Sequence, residues 1–162
     1  MPIPDYIATI RRMYGQGRLL LPGVSAVVIR ANLIPGRVHL LLTKRSDTGQ
    51  WSLPAGIVEP SEQPATAIVR ELFEETRVTV QVERLALLTT DPDVVYPNGD
   101  VCQFVSMCFR CRYVSGVAQV GDEESIDVAW FATDDLPEEL SEIHRRRIRC
   151  ALDHRDACVF DL

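Results

Sequence analysis

The chain has no long hydrophobic run. Its apolar stretches, such as Leu19 to Leu21 and Val24 to Ile29, fall well short of the roughly 20 residues that a membrane-spanning helix needs. The N-terminal segment PIPDYIATIRRMYGQGR is amphipathic and charged, without the apolar centre of a secretory signal, so the expected location is cytoplasmic with no membrane partner. An excess of positive charge is missing too. The net charge of −6 argues against nonspecific nucleic-acid binding, and no stable nucleic-acid complex is expected. The five cysteines are an odd number without a framework. Cys108 and Cys111 have C-x-x-C spacing, but no second pair completes a zinc site, and residues three apart in a strand point to opposite faces. Buried, reduced thiols are expected. His39, His144 and His154 form no metal-ligand spacing. Repeats, low-complexity tracts and a long linker are also absent. At 162 residues and 46% hydrophobic content the chain reads as one domain over 1–162, with 1–22 as an N-terminal helical and strand extension and 137–162 as a C-terminal helix and tail.

What the chain does have is a concentration of acids between Gly56 and Val78, in GIVEPSEQPATAIVRELFEETRV. A glycine is followed six residues later by Glu62, then by Arg70-Glu71-Leu72-Phe73-Glu74-Glu75. At about 100° per residue, Ala65, Ile68, Val69, Leu72 and Phe73 fall on one apolar stripe, while Glu71, Glu74 and Glu75 lie across the opposite half. Glu71 reaches Glu74 and Glu75 at the i+3 and i+4 spacings, where like charges destabilise a helix by a few tenths of a kcal/mol per pair. Arg70, four residues before Glu74, offsets part of that. Carboxylates are hard oxygen donors suited to Mg²⁺ or Mn²⁺, and Mg²⁺ leaves most of its positions to water and substrate phosphates. A solvated face is the plain alternative for two adjacent glutamates on a helix. The whole pattern, six fixed positions and one aliphatic, is more restrictive: by average composition it recurs in on the order of one chain in a million of this length.

The rest of the chain gives an α/β order. Pro4 to Gly15 is predicted as a short helix, and Gly23 to Arg30 and Val38 to Arg45 as strands joined across the turn-rich Asn32 to Gly36. Trp51 to Pro54 is a short strand. The acidic helix runs from Pro64, a favoured first helical residue, to Thr76, with Gln63 as a mediocre N-cap. Val80 to Asp91, Val101 to Tyr113 and Ile126 to Phe131 read as strands, with a turn at Tyr96-Pro97-Asn98-Gly99-Asp100. Pro137 to His154 reads as a closing helix, amphipathic through Leu140, Ile143, Ile148 and Leu152. Mixed strands with helices on both sides fit an α/β/α sandwich around a mixed central sheet.

The acidic segment resembles the Nudix box, G-x5-E-x7-R-E-U-x-E-E-x-G-U with U aliphatic. Gly56, Glu62, Arg70, Glu71, Leu72, Glu74, Glu75 and Val78 match it. The lead-in Trp51-Ser52-Leu53-Pro54-Ala55-Gly56 is also similar to the family's, and the resemblance extends from about Gly23 to about Pro137. One position departs: Arg77 stands where the family has glycine. That glycine closes the helix at positive φ, where another residue costs roughly 1 kcal/mol. The resemblance implies the same α/β/α fold and a Mg²⁺-dependent pyrophosphohydrolase, with Mn²⁺ as a substitute, acting on a small-molecule diphosphate; it leaves a homodimer open.

On this reading Glu75 and Glu71 are the principal metal ligands, with Glu74 a ligand or held through metal-bound water. The resemblance adds the Gly56 carbonyl and Glu59 to the metal set. Glu62 and Arg70 orient the others, unless Arg70 is only a surface ion pair. The general base is either a box glutamate or an acid of the Asp122-Glu123-Glu124 stretch. Glu124 is the candidate there, as extra ligand or base, against a merely solvated loop. Arg45 can pair with substrate phosphate or with a solvent-exposed acid. Tyr96, Asn98 and Asp100 can reach the leaving moiety by stacking and hydrogen bonding, or serve only as a turn. The expected substrate is a nucleoside diphosphate derivative of nucleotide, nucleotide-sugar or ADP-ribose type. The alternative is a catalytically silent nucleotide sensor, against which the intact acids count.

Overall fold

The computed structural model describes residues 5–31 and 33–161; Pro4 and Asn32, named in the predicted helix and turn, lie outside them. The elements are α1 (Asp5–Tyr14), β1 (Leu19–Ala31), β2 (Val38–Arg45), β3 (Trp51–Ser52), β4 (Ala55–Ile57), α2 (Pro64–Thr76), β5 (Thr79–Thr90), β6 (Val94–Val95), β7 (Val101–Ser115), β8 (Ser125–Ala132), α3 (Glu142–Leu152) and β9 (Val159–Phe160).

The long strands run in the order β3-β2-β1-β7-β5-β9, with β4 on β1, β6 on β7 and β8 on β2. The sheet is mixed. β1 runs parallel to β7 from Leu19↔Cys102 to Ile29↔Arg112, whereas β5 is antiparallel to β7 and β2 is antiparallel to β1 and β8. The period-2 alternation of strand side chains splits the core in two. Val24, Ala26, Val28, Leu41 and Val80 pack on one face beneath Ile68 and Leu72 of α2. Val27, Leu40, Leu42 and Leu87 pack on the other beneath Ile148 and Ala151 of α3. This is the expected α/β/α sandwich. Cys111 belongs to the first core and Cys108 to the second, so the C-x-x-C sulfurs stand on opposite faces. All five cysteines are free. No described helix is long and apolar enough to cross a membrane.

Three readings need correction. The buried stripe of α2 is Ala67, Ile68, Leu72 and Thr76, while Phe73 and Ala65 are exposed, because the helix rolls so that its C-terminal turn faces the sheet. That roll also buries Glu75, which the wheel had placed on the half opposite the apolar stripe. The closing helix begins at Glu142, not Pro137. Ser141 is its N-cap, and the Arg145 guanidinium donates to the carbonyls of Pro137 and Leu140, which holds that stretch as a non-helical approach. The lead-in strand ends at Ser52, and a separate strand, β4, carries Gly56 onto β1 through Val24↔Gly56.

Candidate active site

α2 starts and stops where its chemistry dictates. Pro64 occupies the first turn and Gln63 offers no side-chain cap. At the other end Arg77 sits in the left-handed region at φ 58°, its N–H donating to the Phe73 carbonyl, so the arginine adopts the glycine-like exit.

The acids divide into two groups. Glu62 and Glu74 are held by Arg70. Its Nε and Nη2 each donate to Glu62 at 2.9 Å, a bidentate fork, and Nη1 reaches Glu74 at 3.2 Å and Glu71 at 3.1 Å. The fork holds the Glu62 carboxyl below its ordinary range. Glu62 also accepts the N–H of Glu59, an exposed residue, at 3.2 Å.

The second group is Glu71 and Glu75, which point back toward β4. Gly56 makes that approach possible: a Cβ there would lie 2.1 Å from the Glu71 carboxyl carbon. Burial pushes Glu71 up to about 7 despite the opposing pull of Arg70. Glu75 is only 5% exposed. It accepts a long 3.4 Å bond from the Ala55 N–H, and among the described residues no Lys or Arg pairs with it. Burial first, then the charges of Glu124, Glu71 and Asp122, raise it well above the ordinary carboxylate value.

The structure therefore brings Glu124, some 50 residues on in sequence, to Glu75. The Asp122–Glu124 turn is anchored at one end by Gly121, whose N–H donates to the Glu75 carbonyl at 2.9 Å, and at the other by Ser46, whose N–H donates to the Glu124 carbonyl at 2.8 Å. Arg45 ends β2 beside this turn. It is exposed, forms a bidentate pair with Asp47 and feels the charges of Tyr96 and Glu124. Tyr96 and the Glu124 turn thus each lie near Arg45. Asn98 and Asp100 are occupied otherwise. Asn98 Nδ2 donates to Asp100 at 3.0 Å, the Asp100 N–H donates to Asn98 Oδ1 at 3.0 Å, and Arg11 lies 3.5 Å from Asp100.

Sequence reasoning missed two contributors. α1 spans from the box loop to this hairpin: the Tyr6 hydroxyl donates to the Val58 carbonyl at 3.2 Å, and Arg11 donates to the Val101 carbonyl at 2.7 Å. The segment before Asp122 packs against the end of α2. Two glycines within six residues, Gly116 and Gly121, are the signal for that close approach.

Among the described residues no three Asp, Glu, His or Cys side chains form a finished metal-binding group. The donor set nonetheless fits a hard divalent cation: it is all oxygen, and it contains the buried carboxyl of Glu75, which pairs with no Lys or Arg among the described residues, beside the partly buried Glu71. Glu71, Glu75 and Glu124 are the residues that would hold it.

Carboxylates gathered on one helix of an α/β/α sandwich suit the metal-assisted hydrolysis of phosphate linkages. The NUDIX domain family matches residues 19–151. The chain is 36% identical over 130 residues to a MutT-like protein of Streptomyces ambofaciens, which covers 80% of this chain and 75% of the relative. It is 33% identical over 101 residues to an ADP-ribose pyrophosphatase of Methanocaldococcus jannaschii, covering 60% of this chain and 57% of the relative. Other curated relatives are longer, and the chain spans 40% and 38% of two of them. Among solved structures, a MutT NUDIX hydrolase from Burkholderia pseudomallei has a TM-score of 0.60 at 29% identity, over 81% of this chain and 97% of that one. The chain belongs to the Nudix family, whose members generally use divalent metal ions, and is a hydrolase acting on pyrophosphate bonds.

Proposed function

We propose that the protein is a Mg²⁺-dependent pyrophosphohydrolase that cleaves the diphosphate linkage of a nucleoside diphosphate derivative by attack of water. The observation that carries this reading is Glu75, a buried carboxylate without a cationic partner that faces Glu71 and Glu124. Ionising such a buried group without a partner costs several kcal/mol, so the metal-free fold favours its protonated form, and a bound divalent cation would remove that cost.

A divalent ion held by Glu71, Glu75 and Glu124 would supply charge neutralisation of the diphosphate and a lower pKa for water bound to it. The chain's own residues do the rest. Glu71 and Glu75 present oxygens from a rigid helix. Arg70, tied to Glu62, Glu71 and Glu74 at once, fixes their rotamers. Glu124, or a box glutamate, accepts the proton of the attacking water while its oxygen bonds to phosphorus and the bridging oxygen departs with the other phosphate. Arg45 meets substrate phosphate in place of Asp47, and Tyr96 beside it offers a ring to the base or sugar. The ADP-ribose pyrophosphatase among the relatives supports the nucleoside diphosphate class.

The test is incubation with nucleoside triphosphates, ADP-ribose, nucleotide sugars and dinucleoside polyphosphates, with Mg²⁺ or with chelator, read by mass spectrometry. Metal-dependent release of two phosphate-bearing products from a nucleoside diphosphate derivative supports the reading. A ligand that binds and is recovered intact moves the protein to the sensor class.

A further inference from the structure

We infer that Arg77 is a positioning residue: it clamps the Asp122–Glu124 turn over the buried carboxylate of Glu75. The inference rests on the proposed role of that acid cluster. At φ 58° a non-glycine residue costs about 1 kcal/mol, and the N–H bond to the Phe73 carbonyl would form equally well with glycine. What arginine adds is its side chain. Nη2 donates to the Gly121 carbonyl, and the guanidinium lies 5.6 Å from the centre of the Phe73 ring.

The loop is shaped to receive this contact. A Cβ on Gly121 would lie 2.0 Å from the Glu74 carbonyl oxygen and 3.1 Å from Arg77 Nε, and a Cβ on Gly116 would lie 2.5 Å from the Arg77 carbonyl oxygen. Two backbone bonds, Gln119 N–H to Thr76 and Gly121 N–H to Glu75, complete the seam at 3.1 and 2.9 Å. Gly121 immediately precedes Asp122, whose Oδ1 accepts the Glu124 N–H at 2.9 Å. The clamp has a physical purpose. The turn brings two further acids, Asp122 and Glu124, to the side of Glu75, and like charges gathered in one place oppose that arrangement. Arg77 holds it in place beforehand, which lowers the reorganisation that cation binding requires.

Two variants test this. Arg77→Gly relieves the backbone strain and removes the clamp; Arg77→Asn tolerates the left-handed conformation but cannot reach Gly121. In both, amide hydrogen exchange over residues 117–124 should rise, Mn²⁺ affinity followed by electron paramagnetic resonance should fall roughly 10-fold, and kcat should fall with KM for the diphosphate unchanged. The melting temperature of Arg77→Gly should hold or rise, and Arg77→Lys should restore part of the Mn²⁺ affinity. Wild-type exchange and Mn²⁺ affinity in both variants would overturn the inference, as would losses that appear only with a lowered melting temperature. Exchange and Mn²⁺ binding need no turnover, so a wild-type protein that hydrolyses nothing would fail the functional reading without deciding this one.

Discussion

Replacing Glu75 by glutamine should stabilise the metal-free protein while abolishing its chemistry. In the native fold the Glu75 carboxyl titrates well above its ordinary value of 4.5, chiefly through burial and then through Glu124 and Glu71. The folded state therefore keeps a proton that the unfolded chain releases. The stability tied to this group is fully present below about pH 4.5 and is lost as pH rises toward the folded pKa, at about 1.4 kcal/mol per pH unit. Glutamine does not titrate, and its amide can donate to the acids beside it. We expect Glu75→Gln to be more stable than wild type at pH 8 in chelator, with each kcal/mol of gain raising the melting temperature by about 2–4 °C for a protein of this size. The gain should vanish near pH 5. Adding Mg²⁺ should raise the wild-type melting temperature and leave the variant nearly unchanged. Scanning calorimetry at both pH values reads all of this. A variant less stable than wild type at pH 8, or a gain independent of pH, would refute the reasoning.

Gly56→Ala should fold, because the flexible Glu71 carboxylate 2.1 Å from the new Cβ can turn aside, but Mn²⁺ affinity should drop roughly 10-fold on titration. Arg147→Ala breaks a nearly buried pair with Asp91 at 2.6 Å and should cost about 3 kcal/mol by urea unfolding, with the box untouched. Burial pushes Cys108 up to about 11 and Cys111 up to about 12, so neither should react with a thiol reagent at pH 8 until the protein is denatured.

Much of the fold was legible because local chemistry and tertiary packing agree. Proline at the first turn of α2 fixes its start, and alternating strand residues separate into two cores, down to Cys108 and Cys111 on opposite faces. The left-handed exit at Arg77 follows from its alignment with the box glycine. Other features depend on contacts distant in sequence. A helical wheel gives relative angles but not the roll of α2 on the sheet, so the burial of Glu75 was invisible. The amphipathic spacing of Leu140 and Ile143 extended the closing helix too early, because the wheel does not register that Arg145 ties up the preceding carbonyls. The two-residue strands β6 and β9 are too short to show a period. The approach of the Glu124 turn to Glu75 depends on a loop seated against the end of α2; Gly116 and Gly121 signal a close approach in the sequence but do not say to which element.

The most direct test compares wild type with Glu75→Gln on the best substrate of the diphosphate panel at saturating Mg²⁺, with both proteins shown folded by calorimetry. The account predicts metal-dependent hydrolysis by wild type and a loss of several orders of magnitude in kcat in the variant. Full turnover by Glu75→Gln would contradict it and remove Glu75 from the active centre.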